Sequence, residues 1–366
     1  MKHPALRRWL FCAVPALIAA AMYWLLPHFP QFTETVITRG LFRVVAFPAE
    51  WLVSLLPFSL TEAVVVLAAP ALLTLLTVWI VRIVRRPHKA RTVERGCRFV
   101  AWCLSLALLI FMVMDGANFS RLPLGTLMEL PDRDYTAAEL AAVTADLAAK
   151  AGEARKAVAE DENGCMVLSV SLTQTLKNGD DCYVPLRQTY PYLISATRRV
   201  KGVLLSHQWS YTGYTGVYCP WLGEASVNID ITPSEIGHTV THEIAHTMGF
   251  AKENECNFLA YLACVNSDQP DFVYSGYLAA YIYCSNALHD VNATAWRQIS
   301  LACSAAVRRD LKARNAYWKQ FRGQVMETSQ QVNDTFIKAN GVESGVISYD
   351  EMVELVLRYY DANGWI

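Results

Sequence analysis

The sequence predicts a mainly α fold with a small β element, in which N-terminal transmembrane helices precede a largely helical domain. Three observations predict it. Apolar runs long enough to cross a bilayer crowd the chain before residue 115. A stretch of helical period around residue 242 carries His-Glu-x-x-His. Directly before it, Ala225 to Ile231 alternates polar and apolar residues, the pattern of a strand.

The chain is 53% hydrophobic, which is rich for a soluble protein, and the excess lies early. Trp9 to Leu26 carries no charge. Ala63 to Val81 is a second such run, and Phe99 to Met114 a third, between Arg98 and Asp115. These predict transmembrane helices at about 9–26, 63–81 and 99–114, within a membrane domain spanning 1–116. The first run also fits a signal peptide, since basic residues precede it and Ala19-Ala20-Ala21 is small. Tyr23-Trp24-Leu25-Leu26 carries it past any cleavage point there, which favours an uncleaved anchor.

Basic residues set the expected orientation. Arg82, Arg85, Arg86, Lys89, Arg91, Arg95 and Arg98 lie between the second and third runs, against a lone Glu94. Lys2, Arg7 and Arg8 precede the first run. The positive-inside rule puts both in the cytoplasm, so three spans place everything after Asp115 outside. The expected location is the cell membrane, multi-pass, with a cytoplasmic N-terminus. The basic run sits between two apolar spans, which argues against a nucleic-acid patch. Leu41 to Leu60 is apolar but carries Arg43, Pro48, Glu50 and Pro57. It reads as an amphipathic segment at the outer interface. As a fourth span it would reverse the topology.

After the spans, 117–134, with Pro123 and Pro131, reads as a linker to an extracytoplasmic domain at 135–366. Thr136-Ala137-Ala138-Glu139 is a capping box that opens a helix reaching about Val158. Asp161 to Asp181 is polar and interrupted. Pro191 to Val203 has a helical look. Trp209 to Trp221, dense in Tyr, Thr and Gly, suggests strand and turn. Ala225 to Ile231 reads as a strand that is either an edge able to bind an extended peptide or an ordinary core strand. Gly276 to Leu288 is too short to span and reads as a core helix. Tyr274 and Tyr277, near its start, are candidates for stabilising an oxyanion, although most tyrosines simply pack. Ala305 to Phe321, Val325 to Ala339 and Tyr349 to Tyr360 read as further helices, with a loop at Gly341 to Gly345.

The chemistry concentrates at residues 239–257. Ile236, Val240 and Ile244 recur every four residues as a buried stripe, and His238, His242 and His246 recur on a neighbouring face. Thr232 or Ser234 can cap this helix, with Pro233 in its first turn. Residues at i and i+4 lie one above the other, so His242 and His246 can present two imidazoles to one Zn2+ ion. Glu243 then lies beside the ion, placed to deprotonate a water there. Gly249 can turn the chain back towards the metal. Zinc in a catalytic site usually takes three protein ligands. Glu253 and Glu255 follow the turn. Glu253 and Asn257 share a helical face, which favours Glu253 as third ligand and Asn257 as hydrogen-bond partner of a ligand histidine. Seven cysteines fall after the spans. That odd number leaves at least one unpaired, and their spacing fixes no pairing.

The chain resembles an uncharacterised bacterial family, a domain of unknown function, of three-span membrane proteins with a zincin-like outer domain. The resemblance rests on Lys201-Gly202-Val203-Leu204-Leu205-Ser206, Ser210-Tyr211-Thr212-Gly213, Gly223-Glu224-Ala225 and the His242 to Asn257 stretch. Tyr274-Ser275-Gly276-Tyr277 and Val332-Asn333-Asp334 extend it. The site is also similar to that of gluzincin metallopeptidases, whose third ligand is a glutamate followed at three and four positions by a small residue and Asp or Asn. Glu253, Cys256 and Asn257 fit that pattern. The short spacing from His246 to Glu253 departs from it, and Lys252 stands where a metzincin has its third ligand.

The expected function is that of a membrane-anchored, zinc-dependent metallopeptidase acting on a peptide or protein outside the membrane. Its partners are then the lipid bilayer and that substrate, with no nucleic acid. The alternative is a non-catalytic zinc-binding sensor or assembly protein. An intramembrane protease fits less well, because Ser234, Glu235, Thr239 and Thr241 surround the motif with polar groups.

Overall fold

The computed structural model describes residues 4–342 and 351–365. Three of its helices are long and apolar enough to cross a membrane, at Arg7–His28, Leu60–Arg85 and Lys89–Met114. They comprise α1 (Pro4–Leu25), which runs on through a short turn, then α3 (Leu60–Arg85) and α4 (Lys89–Met114). The Ala16 N–H of α1 donates to Ser105 Oγ of α4 at 2.8 Å. Leu72, Leu73 and Leu75 of α3 are exposed, an apolar surface suited to lipid rather than water.

Between α1 and α3 runs a strap. It begins with the π-helix Thr33–Phe42 and continues as α2 (Arg43–Ser54). The strap is amphipathic, as the sequence suggests, but one face is docked on the C-terminal region. Arg43 Nη2 donates to Met248 O at 2.8 Å and to Tyr192 O at 3.1 Å, while Nη1 reaches Ile194 O. Glu50 Oε2 accepts from the Ala196 N–H at 2.9 Å, and Ser54 Oγ from the Arg198 N–H at 3.1 Å. At the start of α3, the carboxylate of Glu224 accepts from Ser59 Oγ, Leu60 N and Thr61 N at 2.8–2.9 Å. The opposite face exposes Val44, Trp51, Leu52 and Leu55.

These contacts correct one expectation. Pro191 to Val203 is not a helix. Residues 190–200 are irregular and lead into a short strand, β1 (Lys201–Val203). The strap's side chains take up the carbonyls of Tyr192 and Ile194 and the N–H groups of Ala196 and Arg198. Those groups therefore need no helical ladder.

The stretch 117–134 follows α4 as two short helical turns, with Asn118, Arg121 and Leu124 buried. α5 (Ala137–Ala154) then opens on the predicted capping box, with both Thr136 and Glu139 bonds formed. The small sheet adds β2 (Gly216–Cys219) and β3 (Glu224–Asn228), in the order β1-β3-β2. β3 is parallel to β1 and antiparallel to β2. The strand before the His-Glu-x-x-His helix is therefore central and wholly buried, and β1 and β2 hold the two edges.

Helices α6 (Pro233–Thr247), α7 (Glu253–Val265) and α8 (Pro270–Val291) pack on one another. Their shared core includes Val240, Ile244, Phe258, Leu259, Phe272 and Leu278. Four more helices follow: α9 (Ala293–Ala302), α10 (Ala305–Lys319), α11 (Gln324–Ala339) and α12 (Glu351–Ala362). The predicted loop at Gly341 to Gly345 lies mostly outside the described residues.

Candidate metal centre

α6 carries its apolar stripe into the core and its histidine row into a cleft of about 800 Å³. Gly249 ends the helix in the left-handed region at φ +80°, a conformation glycine adopts without penalty. A side chain there would also press on Phe42 and Thr38 of the strap. The turn returns the chain so that α7 faces α6.

His242, His246 and Glu253 form a cluster whose candidate ligand atoms all lie within 4.8 Å of one another. His242 Nε2 is 3.2 Å from His246 Nε2 and 3.1 Å from Glu253 Oε2, and His246 Nε2 is 3.8 Å from Glu253 Oε1. His246 Nδ1 donates to Phe250 O at 2.9 Å. That bond fixes the tautomer whose Nε2 lone pair faces the cluster. Burial lowers the pKa of His246 to about 4, so the ring is neutral and able to act as a ligand. Burial also opposes protonation of His242, but the hydrogen bond and charge of Glu253 outweigh it, and Asn257 adds to the same effect. The net shift is upward. A cation there would replace the proton that Glu253 now favours.

Glu255 is placed elsewhere. It is buried and accepts from the Leu124 N–H at 2.8 Å. His238 donates through Nε2 to Asn257 O at 3.2 Å and is held neutral by burial. His207 and His289 pair at the surface with Asp230 and Asp290.

Glu243 is buried, and its Oε2 has no protein partner. Burial raises its pKa to about 8. Its carboxylate packs so closely on Gly216 that a Cβ there would meet Oε1 at 2.4 Å. Glycine at the start of β2 is what gives this carboxylate its room. Two imidazole nitrogens, one carboxylate oxygen and an unanswered buried carboxylate fit a divalent cation such as zinc.

The cleft also holds residues that the motif does not point to. Tyr218 of β2 stacks on His246, with ring centroids 6.1 Å apart. Asp115, just past α4, lines the cleft beside Glu253. Burial, then repulsion from Glu253, raises the Asp115 pKa to about 7. A lone acid ending an apolar run was its only sequence signal. Tyr274 is elsewhere and donates to Asp310 at 2.6 Å. Tyr277 packs against Tyr261. Neither lines the cleft.

Residues 38–357 match the family described as Protein of unknown function (DUF3810), and the chain belongs to that family. No curated protein and no solved structure matches it.

Proposed function

We propose that this protein is a membrane-anchored zinc metallopeptidase, with His242, His246 and Glu253 as ligands and Glu243 as general base. The observation that carries the reading is the convergence of the three donor atoms with a buried carboxylate that has an unanswered oxygen. Zinc held by these three residues would supply a Lewis acid for the scissile carbonyl and acidify the attacking water. The protein's own part follows from its geometry. Glu243 accepts a proton from the attacking water and passes it to the leaving amine. Burial and the Gly216 contact hold the carboxylate in place for both transfers. The Phe250 carbonyl orients His246, and Asn257, which lines the same cleft, would orient His242. β2 pairs on one side with β3. Its other edge borders the cleft through Thr215, Gly216 and Val217 and suits an extended peptide.

Metal analysis of the purified protein tests this reading. We expect about one zinc per chain in the wild type and loss in His246→Ala and Glu253→Ala. Hydrolysis of a peptide library should accompany the metal and vanish in Glu243→Gln. Wild-type protein that stays metal-free in replete buffer would end the proposal. Zinc binding without hydrolysis of any peptide would favour the sensor or assembly reading.

A further inference from the structure

We propose that the substrates are polypeptides themselves anchored in the membrane, cut a few residues outside the bilayer. This inference rests on the peptidase reading and deepens it.

Its first support is the wall of the cleft. Phe111 of α4 and Asp115 at its end line the same cavity as His242, Glu243 and Glu253. Trp221 and Phe336 join that wall, with ring centroids each 6.0 Å from Phe111. Trp221 Nε1 donates to the Ala107 carbonyl, two turns inside the helix, at 3.0 Å. A candidate spanning helix thus forms one side of the site.

The second support is depth. The apolar part of α4 runs from Phe99 to Met114, with Arg98 and Arg95 before it. Sixteen residues at ~1.5 Å each give about 24 Å. The hydrocarbon core needs about 30 Å. The run has no length to spare, so Met114 cannot rise clear of the bilayer. Phe111 then lies at lipid depth, and Asp115 at the water boundary.

The third support is the rim. Trp51 and Leu52 on α2, Leu55 just after it and Leu204 beside α3 are exposed apolar residues. Leu204 N donates to the Glu62 carboxylate in the first turn of α3 at 2.9 Å. Trp221, also exposed, leans on α4. All adjoin the same ends of the spans, so the occupant of this rim is the bilayer interface. The buried Arg121–Glu34 pair and the Glu224 cradle fix the region there. A cleft held at the lipid surface admits a chain leaving the membrane sideways, and its aromatic wall suits the last apolar residues of that chain's span.

The test uses full-length, zinc-loaded protein in phosphatidylethanolamine–phosphatidylglycerol vesicles. The probe is a random-sequence segment, either free or co-reconstituted on a single transmembrane helix. In the anchored form it is joined directly or through a flexible Gly/Ser spacer of about 30 residues, which reaches roughly 30 Å. The spacer keeps the probe on the membrane but moves the bonds away, which separates depth from mere co-localisation. We expect the directly joined probe to be cut at least about tenfold faster than the spaced one, an effect equivalent to about 1.4 kcal/mol. The cuts should fall within its first few residues and be absent with Glu243→Gln. Equal rates for the two anchored probes, or faster cleavage of the free one, would leave the peptidase standing and overturn the inference. Cleavage of none would remove both.

Discussion

The cleft and the seam beneath the strap both bury carboxylates, and they treat them in opposite ways. In the seam, Glu34 receives Arg121 through two bonds of 2.8 and 2.9 Å, and Arg39 through one of 2.7 Å. Glu224 receives two backbone N–H groups and the Ser59 hydroxyl. In the cleft, Glu243 Oε2 has no protein donor, and burial, with a push from Glu253 and against the pull of His242, sets its high pKa. A buried polar group left unanswered costs stability. A fold that answers Glu34 and Glu224 in the seam and leaves Glu243 Oε2 unanswered beside two histidines has, on the proposed reading, kept room for a cation and a proton. The difference separates carboxylates that hold the molecule together from the one proposed to react.

Glu243→Gln should break the comparison most sharply. It keeps the shape and removes the base. We expect kcat to fall by about 10²–10⁴-fold, the usual contribution of a general acid–base group, with zinc content unchanged. Loss of zinc in this variant would make Glu243 part of the metal's holding rather than its chemistry. Arg121→Ala should have the reverse profile. It removes two of the three bonds to a carboxylate that is 1% exposed and leaves it Arg39 alone, which costs up to about 3–5 kcal/mol, read as a lower unfolding midpoint in detergent. The refolded variant should still bind zinc, more weakly, because neither member of the pair is a candidate ligand but Arg121 also holds the Gly249 carbonyl in the turn after α6. An unchanged midpoint would show that the seam is not what holds the strap. Asn257→Ala lies between the two regions in character. It removes the smallest of the influences that favour a proton at His242, after Glu253 and Glu243, and on the proposed reading zinc affinity should fall by about tenfold. Competition with a chelator would measure it.

The parts of this molecule legible in the sequence are those whose determinants are close together in the chain. His242 and His246 meet because a helix repeats near four residues, and the Thr136–Glu139 box closes within one turn. The apolar runs announce the candidate spans, and all three long apolar helices overlap them. The seam was hidden because its partners are distant: Ser59 meets Glu224, and Arg43 meets Met248. The same distance explains residues 190–200, where helix-like composition loses to side-chain partners supplied by the strap. The alternation of Ala225 to Ile231 marks a strand but not its neighbours, so it could not say that β1 and β2 take the edges. Asp115 enters the site only because the end of α4 borders the same cleft as Glu253, a fact of tertiary packing.

Within the seam, Glu50 tests how strict the contrast is. Its Oε2 accepts from Ala196, but Oε1 is buried without a protein partner. Burial raises its pKa to about 7, against the pull of the Ala196 N–H and of Arg43, and with a small push from Asp180. The sign follows from the direction. A carboxyl whose folded pKa is raised binds more protons folded than unfolded, so its contribution is full below about pH 4.5 and is lost as pH rises through 7. Glu50→Gln keeps the acceptor for Ala196 and cannot ionise. Near pH 4.5 the variant and the wild type should unfold at similar midpoints. At pH 8 the variant should be more stable by about 1–2 kcal/mol, less than the full shift implies, because the new amide is itself partly unanswered. Unfolding midpoints across this range decide it. Parallel profiles would mean that Glu50 finds a counter-charge in the seam, which would sharpen its contrast with Glu243.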